Sequence, residues 1–300
     1  MGAWEEGYTE MIPNSYYKKE KSTNRNMEQQ EVKKDSGIVL PTGIRKAVRV
    51  NPSTVLISGK HKVGKTSAIV TLPNHVVLDV ENGTEFVDGT IMTPPKDSGP
   101  VSKFIWLKDV AKKIKEAGRP YDYVVIDTLS QLDMDAEWVG TWDYMNSIIG
   151  KSFNRKVDNE GKLIYENGKT IMLRRDDPNY QSVLTLPNGA GYYYTRSAIL
   201  DMYDTLKDLG KICTIFICHV ADKMISEKQG EQVMVKDLAL VGKTRDIIPR
   251  LVDAIGTVWN EDGQLMVSFV GKDDKIGGTR AKHLTNYIGP VDWSKIFITE

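Results

Sequence analysis

Short, nearly unbroken apolar runs recur from residue 54 onward: Thr54–Ser58 (TVLIS), Val76–Val80 (VVLDV), Tyr123–Asp127 (YVVID), Thr214–Cys218 (TIFIC), Ala254–Trp259 (AIGTVW) and Leu265–Val270 (LMVSFV). Most are continuous rather than alternating, the pattern of strands covered on both faces. Helical spacing separates them. Val110, Ile114 and Ala117 share one face of Lys108–Ala117, and Ile199, Met202, Leu206 and Leu209 do so in Ser197–Leu209, where Gly210 is expected to form a C-terminal glycine cap. Strand and helix in alternation predict an α/β fold with a doubly wound, mostly parallel sheet. The last two strands are expected to form an antiparallel hairpin around Glu261-Asp262-Gly263.

Two regions depart from this rhythm. Residues 1–36 are polar and carry both charge signs, so they read as a disordered tail with helical character around Asn26–Lys34, ahead of a core at 37–300. Between YVVID and TIFIC lies far more chain than one crossover helix needs. An insertion is therefore expected at about 140–195. Turn signals DNEG and ENG around Leu163-Ile164-Tyr165 make part of it a β-hairpin excursion.

Composition narrows the setting. Forty Lys+Arg balance forty Asp+Glu, which excludes binding to nucleic acid through bulk charge and requires a local patch instead. No apolar run approaches the ~20 residues of a spanning helix, and the N-terminus lacks the build of a signal peptide, so a soluble, cytoplasmic protein without a membrane partner is expected. Cys213 and Cys218 share one apolar stretch and read as buried thiols of a reducing compartment.

The candidate chemistry begins at Gly59-Lys60-His61-Lys62-Val63-Gly64-Lys65-Thr66, with Ser67 following. It matches G-x-x-x-x-G-K-[ST], directly after a strand and before a plausible helix start. The glycines let backbone N–H groups turn inward onto phosphate, Lys65 would bridge the β- and γ-phosphates, and the Thr66 hydroxyl would bind Mg²⁺. Asp127, ending its strand, is expected at the same metal; the alternative is a cap for the next helix. Glu81 in LDVENG could take a proton from attacking water or be a plain turn residue. His219 could sense the γ-phosphate or be a structural histidine.

This order of GKHKVGKT, LDVEN, YVVIDTLSQL and TIFICH resembles the RecA-like P-loop ATPase core. Over residues 50–300, with GAGYYYTRSAILDMYDTLKDLGK and GGTRAKHL agreeing, the chain looks most like phage nucleotide-binding proteins that include single-strand annealing recombinases. The resemblance implies ATP and Mg²⁺ as ligands, Lys65, Glu81, Asp127 and His219 as catalytic residues, and a homo-oligomer, ring or filament, on single-stranded DNA. A single-strand-binding protein is an expected companion, and the host bacterium's cytoplasm the expected setting. The long excursion and the absence of an amino-terminal polymerising helical region depart from the pattern.

DNA contacts would then fall in the excursion and in a loop at Ala221–Leu240. From Lys151 to Arg175, seven basic residues stand against three acidic ones, with Phe153 and Tyr165 interleaved. Lys151, Arg155, Lys156, Arg174 and Arg175 are the candidates there, and Lys223 in the second loop; an ordinary solvated hairpin is the alternative. Lys272 and Arg280 are candidates for reaching a neighbour's γ-phosphate. Two other functions stay open: an ATP-binding scaffold with little turnover, and a small-molecule kinase, disfavoured because no arginine-rich lid is visible.

Overall fold

The structure is a computed structural model that describes residues 42–226, 232–271 and 276–298. The tail and its proposed helical stretch lie outside the described residues, and all elements belong to the unit that begins at Ala47. In chain order they are β1 (Thr54–Gly59), α1 (Lys65–Ile69), β2 (His75–Asp79), β3 (Ile91–Met92), α2 (Pro100–Glu116), β4 (Tyr123–Asp127), α3 (Leu129–Asn146), β5 (Tyr165–Glu166), β6 (Lys169–Thr170), α4 (Gly191–Leu206), β7 (Cys213–Ser226), β8 (Gln232–Leu238), α5 (Thr244–Leu251), β9 (Ala254–Glu261), β10 (Gln264–Ser268), β11 (Gly278–Thr279), β12 (Ile288–Pro290) and α6 (Trp293–Ile296).

The main sheet runs β12-β10-β9-β1-β7-β4-β2-β3. From β9 to β3 every pairing is parallel. The far edge is antiparallel, with Asp262 (φ 50°) and Gly263 (φ 84°) making the expected β9–β10 turn. This is the expected doubly wound, mostly parallel α/β sheet. The apolar runs are continuous because alternate residues serve two cores. Leu56, Leu78, Ile126 and Phe216 pack under α2, α3, α4 and α5, while Val55, Val77, Val125 and Ile215 pack on the other face with Ile69 and the C-terminal segment around Leu284 and Ile296. Cys213 and Cys218, five apart, fall on opposite faces as buried free thiols.

Helix α3 follows β4 without a loop, capped by the Thr128 side chain, which accepts from Gln131 N–H (3.1 Å). It crosses α4 at Gly140, where a Cβ would lie 2.7 Å from the Thr195 backbone nitrogen; no larger residue permits that approach. Several expectations shift here. Both ends of the 140–195 range are helix, since α3 reaches Asn146 and α4 starts at Gly191; packing against each other extends both beyond their sequence signals. The irregular part between them does carry the hairpin, β5–β6, around Asn167 and Gly168 at positive φ. Asn154 clamps this segment, exchanging two 2.8 Å hydrogen bonds with the Gln181 backbone. Helix α4 ends at Leu206, before Gly210, which instead sits where a Cβ would meet the Cys213 carbonyl oxygen. The expected loop at Ala221–Leu240 is mainly an antiparallel ribbon: β7 continues to Ser226 and pairs with β8 from Val220↔Leu238 onward. Two β-rich runs satisfy each other's backbone there without the rest of the sheet.

The segment after β8 is tied down by Asp133 of α3, which accepts from the Val241 backbone N–H and the Thr244 side chain. Burial pushes the Asp133 carboxyl up to about 6 from 3.8. The folded state then holds an extra proton between these values, so this group costs stability as pH rises through about 4 to 6 and no further above. Relative to wild type, Asp133→Asn should therefore gain on the order of 2–3 kcal/mol between pH 4 and pH 7. Urea unfolding of both proteins across that range measures it, and a pH-independent difference would contradict the assignment.

Candidate functional site: a phosphate loop facing a histidine and three carboxylates

Parallel register brings four strand ends to one edge. Gly59 at the end of β1 pairs with His219 of β7, and Asp127 at the end of β4 pairs with Asp79 of β2. Because β7 lies between β1 and β4, the loop leaving β1 faces both. In an open α/β sheet this carboxyl edge is where ligands bind.

The loop is shaped by close packing and by left-handed backbone. A Cβ on Gly59 would stand 2.9 Å from the Val258 carbonyl oxygen of β9, so only glycine lets the loop leave the sheet there. Lys62 (φ 59°) and Gly64 (φ 100°) then reverse its direction into α1. That helix has only five residues, so the loop's own N–H groups, more than a helix dipole, would meet an anion. Lys60, His61, Lys62 and Ser67 are exposed, whereas Val63 packs toward the core.

Lys65 is buried. Its Nζ donates to the carbonyls of Gly59 (3.0 Å) and Lys60 (2.7 Å) and lies 3.3 Å from His219 Nδ1. An ammonium only donates, so Nδ1 accepts and the ring proton sits on Nε2, which donates to Glu81 Oε2 at 3.2 Å. This hydrogen bond is the main reason the Glu81 carboxyl is held below the usual range. Burial, with Asp127 and Glu81 opposing it, lowers Lys65. His61 stacks on His219 with ring centroids 3.7 Å apart, and burial followed by the charge of its neighbours lowers its own pKa.

Two residues the sequence reading passed over hold this cluster in place. Asp79, buried at the end of β2, accepts from Glu81 N–H (3.0 Å), Asn82 N–H (2.8 Å), Thr84 N–H (3.1 Å) and the Thr84 hydroxyl (2.6 Å), and so builds the turn that presents Glu81. Its signal was an aspartate followed by Asn-Gly, a side-chain-capped turn. Ser130 of α3 accepts from His219 N–H at 2.9 Å, fixing β7 against the helix that follows Asp127.

Thr66 donates to Asp127 Oδ2 at 2.7 Å. Burial, with Asp79 and Glu81 adding to it, pushes Asp127 up to about 6. A hydroxyl and a carboxylate, hard oxygen donors among excess negative charge, fit Mg²⁺. His61, Glu81 and His219 also bring one ligand atom each within 4.8 Å of one another. Both ring nitrogens of His219 are already engaged, however, by Lys65 and Glu81, which leaves none for a metal.

The remaining candidates divide. Lys151, Lys156, Arg174 and Arg175 are exposed on the excursion, Arg175 lying over the Trp138 ring at 4.1 Å. Arg155 is instead a tether, its Nε donating to the Thr170 hydroxyl (3.1 Å). Phe153 is half-buried and packs at a steep angle against Tyr144, while Tyr165 is 62% exposed. Lys223 sits on β7 opposite Val235 rather than in a loop. Lys272 lies outside the described residues. Arg280 is at the other end of β9, bonded to Asp253 (3.2 Å) and to the Arg250 carbonyl (2.7 Å).

Residues 51–155 match the family model described as an AAA domain, a stretch that contains the loop, the Glu81 turn and Asp127. Among solved structures, the chain is similar to one described as a prototypical ATPase from the type III secretion system of pathogenic bacteria. The identity is 12% and the TM-score 0.37, over 78% of this chain and 65% of that one, so the chain spans less than two thirds of that protein. No curated protein sequence matches the chain. No helix among the described residues is long and apolar enough to cross a membrane.

Removing the Asp79 side chain would leave several buried N–H donors unpaired and free the Glu81 turn. Asp79→Ala should lose about 2–4 kcal/mol of stability by urea unfolding. It should also lower the turnover of nucleotide more than its affinity, and unchanged turnover in the folded variant would contradict this positioning role.

Proposed function

We propose that the protein is a Mg²⁺-dependent ATPase of RecA-like type that works as an oligomer on single-stranded DNA in phage recombination, replication or repair. The observation carrying the hydrolytic part is the Glu81 carboxylate, held ionised by His219 and within the same cluster as the loop lysine. A P-loop with a poised base beside it is suited to activating water, whereas a scaffold that only holds nucleotide has no need of one.

In this reading the loop N–H groups and Lys65 bind the triphosphate, and Lys65 exchanges its contact with His219 for phosphate oxygen. Thr66 and Asp127 hold Mg²⁺, which supplies charge neutralisation at the phosphates when bound. Glu81 accepts the proton of the attacking water. His219 is positioned to register the γ-phosphate, and because it lies on the strand that continues into the β7–β8 ribbon, its state would be passed to that ribbon.

The DNA part rests on the exposed cations of the excursion, Lys151, Lys156 and Arg174, and on Tyr165, an exposed ring of the same segment on which a base could stack. Oligomerisation, and the company of a single-strand-binding protein, follow from the resemblance in sequence alone. A trans-acting role for Arg280 requires it to leave Asp253 and the Arg250 carbonyl.

Lys65→Ala with Thr66→Ala should abolish Mg-nucleotide binding by calorimetry. Glu81→Gln should keep that binding and lose about 10²–10⁴-fold in turnover, the usual share of a general base. Single-stranded DNA should raise wild-type turnover, and Lys151→Glu with Lys156→Glu should remove that stimulation while leaving the basal rate. Turnover indifferent to DNA would sink the DNA part, a bound but inert nucleotide would favour a scaffold, and phosphate transferred to a metabolite would favour a kinase.

A further inference from the structure

The end of the sheet away from the phosphate loop carries a second concentration of charge. Ser53 enters β1, Arg119 precedes β4 and Lys211 precedes β7, and around these N-terminal strand ends lies a cleft of about 450 Å³. Its cationic lining is Arg49, Arg119, Lys207 and Lys211, with Asp208 as the lining acid. The length of β1, roughly 17 Å at the usual rise per residue, separates it from Gly59.

Part of this charge is already committed. Arg119, in a left-handed turn with Gly118 (φ 55° and 73°), anchors its Nε on the Asp208 carbonyl at 2.7 Å. Lys115 takes the Thr205 carbonyl at 3.0 Å, and Lys207 pairs with Asp204 at 2.7 Å. The carbonyls ending α4 and the nearby Asp204 are thereby matched. Asp253, beside Ser53, is taken up by Ser53 and Arg280. Arg49, Lys211 and the two terminal nitrogens of Arg119 have no side-chain partner among the described residues. Two cations and a pre-oriented guanidinium thus converge on one concave site in a chain whose net charge is zero.

Among the described residues no aromatic side chain lines the cleft, so they offer nothing for bases to stack on, and its volume is that of a small-molecule site. We propose that this cleft is a second anion site, separate from the phosphate loop, that takes a compact polyphosphate. The fork of Arg119 would engage phosphate oxygens, with Arg49 and Lys211 closing on the remaining charge.

The test uses the full chain and inorganic tripolyphosphate, titrated by calorimetry. Wild type should show two binding events. Lys65→Ala with Thr66→Ala should keep one of them, which makes the proposal independent of how the loop site behaves. Arg49→Glu with Lys211→Glu, both exposed positions, should lose that same event by about tenfold or more, the scale of one charge-assisted contact, and keep the loop event. Lys211→Ala alone serves if the double variant does not fold. No binding by the loop variant, or wild-type binding by the cleft variant, overturns the proposal. So does displacement of tripolyphosphate from the loop variant by an oligothymidylate strand, which would make the cleft a nucleic-acid contact.

Discussion

The site depends on one imidazole set between a cation and a carboxylate. His219 accepts from Lys65 on one ring nitrogen and donates to Glu81 from the other, at 3.3 and 3.2 Å. Lys65 can only donate, so the tautomer of His219 follows from that neighbour, and with it the polarity of the bond to Glu81. The carboxylate stays ionised because its partner offers a proton it does not give up. A change at any one of the three alters the other two.

That arrangement is a consequence of strand order. With β7 between β1 and β4, His219 stands in register with Gly59, and its ring reaches across to the turn after β2. A layer behind the site makes the placement reproducible. Asp79 gathers the backbone of the Glu81 turn, and Ser130 pins the His219 backbone to α3, which itself starts two residues after Asp127. His219 and Asp127 therefore rest on strands, and Glu81 on a turn that Asp79 holds.

Away from the site the same sheet shows how the chain divides its labour. Four helices cover one face, and the second face is covered by α1, α6 and the turns of the C-terminal segment. The long insertion after α3 is fastened by Asn154, Arg155 and Thr141. Some residues that looked like surface chemistry, Arg155 and Phe153 among them, are used for this fastening. Lys151, Lys156, Arg174, Arg175 and Tyr165 remain exposed on the insertion.

Much of this was readable from the chain. The strands announced themselves because residues buried on both faces must be apolar at every position, and Gly59–Thr66 did so because a phosphate-wrapping loop needs glycines at fixed spacing. Asp127, Glu81 and His219 stood out as candidates because each follows or ends such a run. Asp79 was passed over because a carboxylate that serves only backbone N–H groups has no partner residue to betray it in sequence. The packing of Arg155 on Thr170 and of Phe153 on Tyr144 was not legible, because charge and aromatic character do not say which way a side chain turns. The β7–β8 ribbon was taken for a loop because its pairing is made outside the main core. Local chemistry and periodicity settled which segments would be strands and which loop has the build to wrap phosphate, since both are short-range properties of the chain. Only the tertiary structure decided that His219 would stand between Lys65 and Glu81. Those residues are separated by 154 and 138 positions, and only the register of parallel strands brings them together.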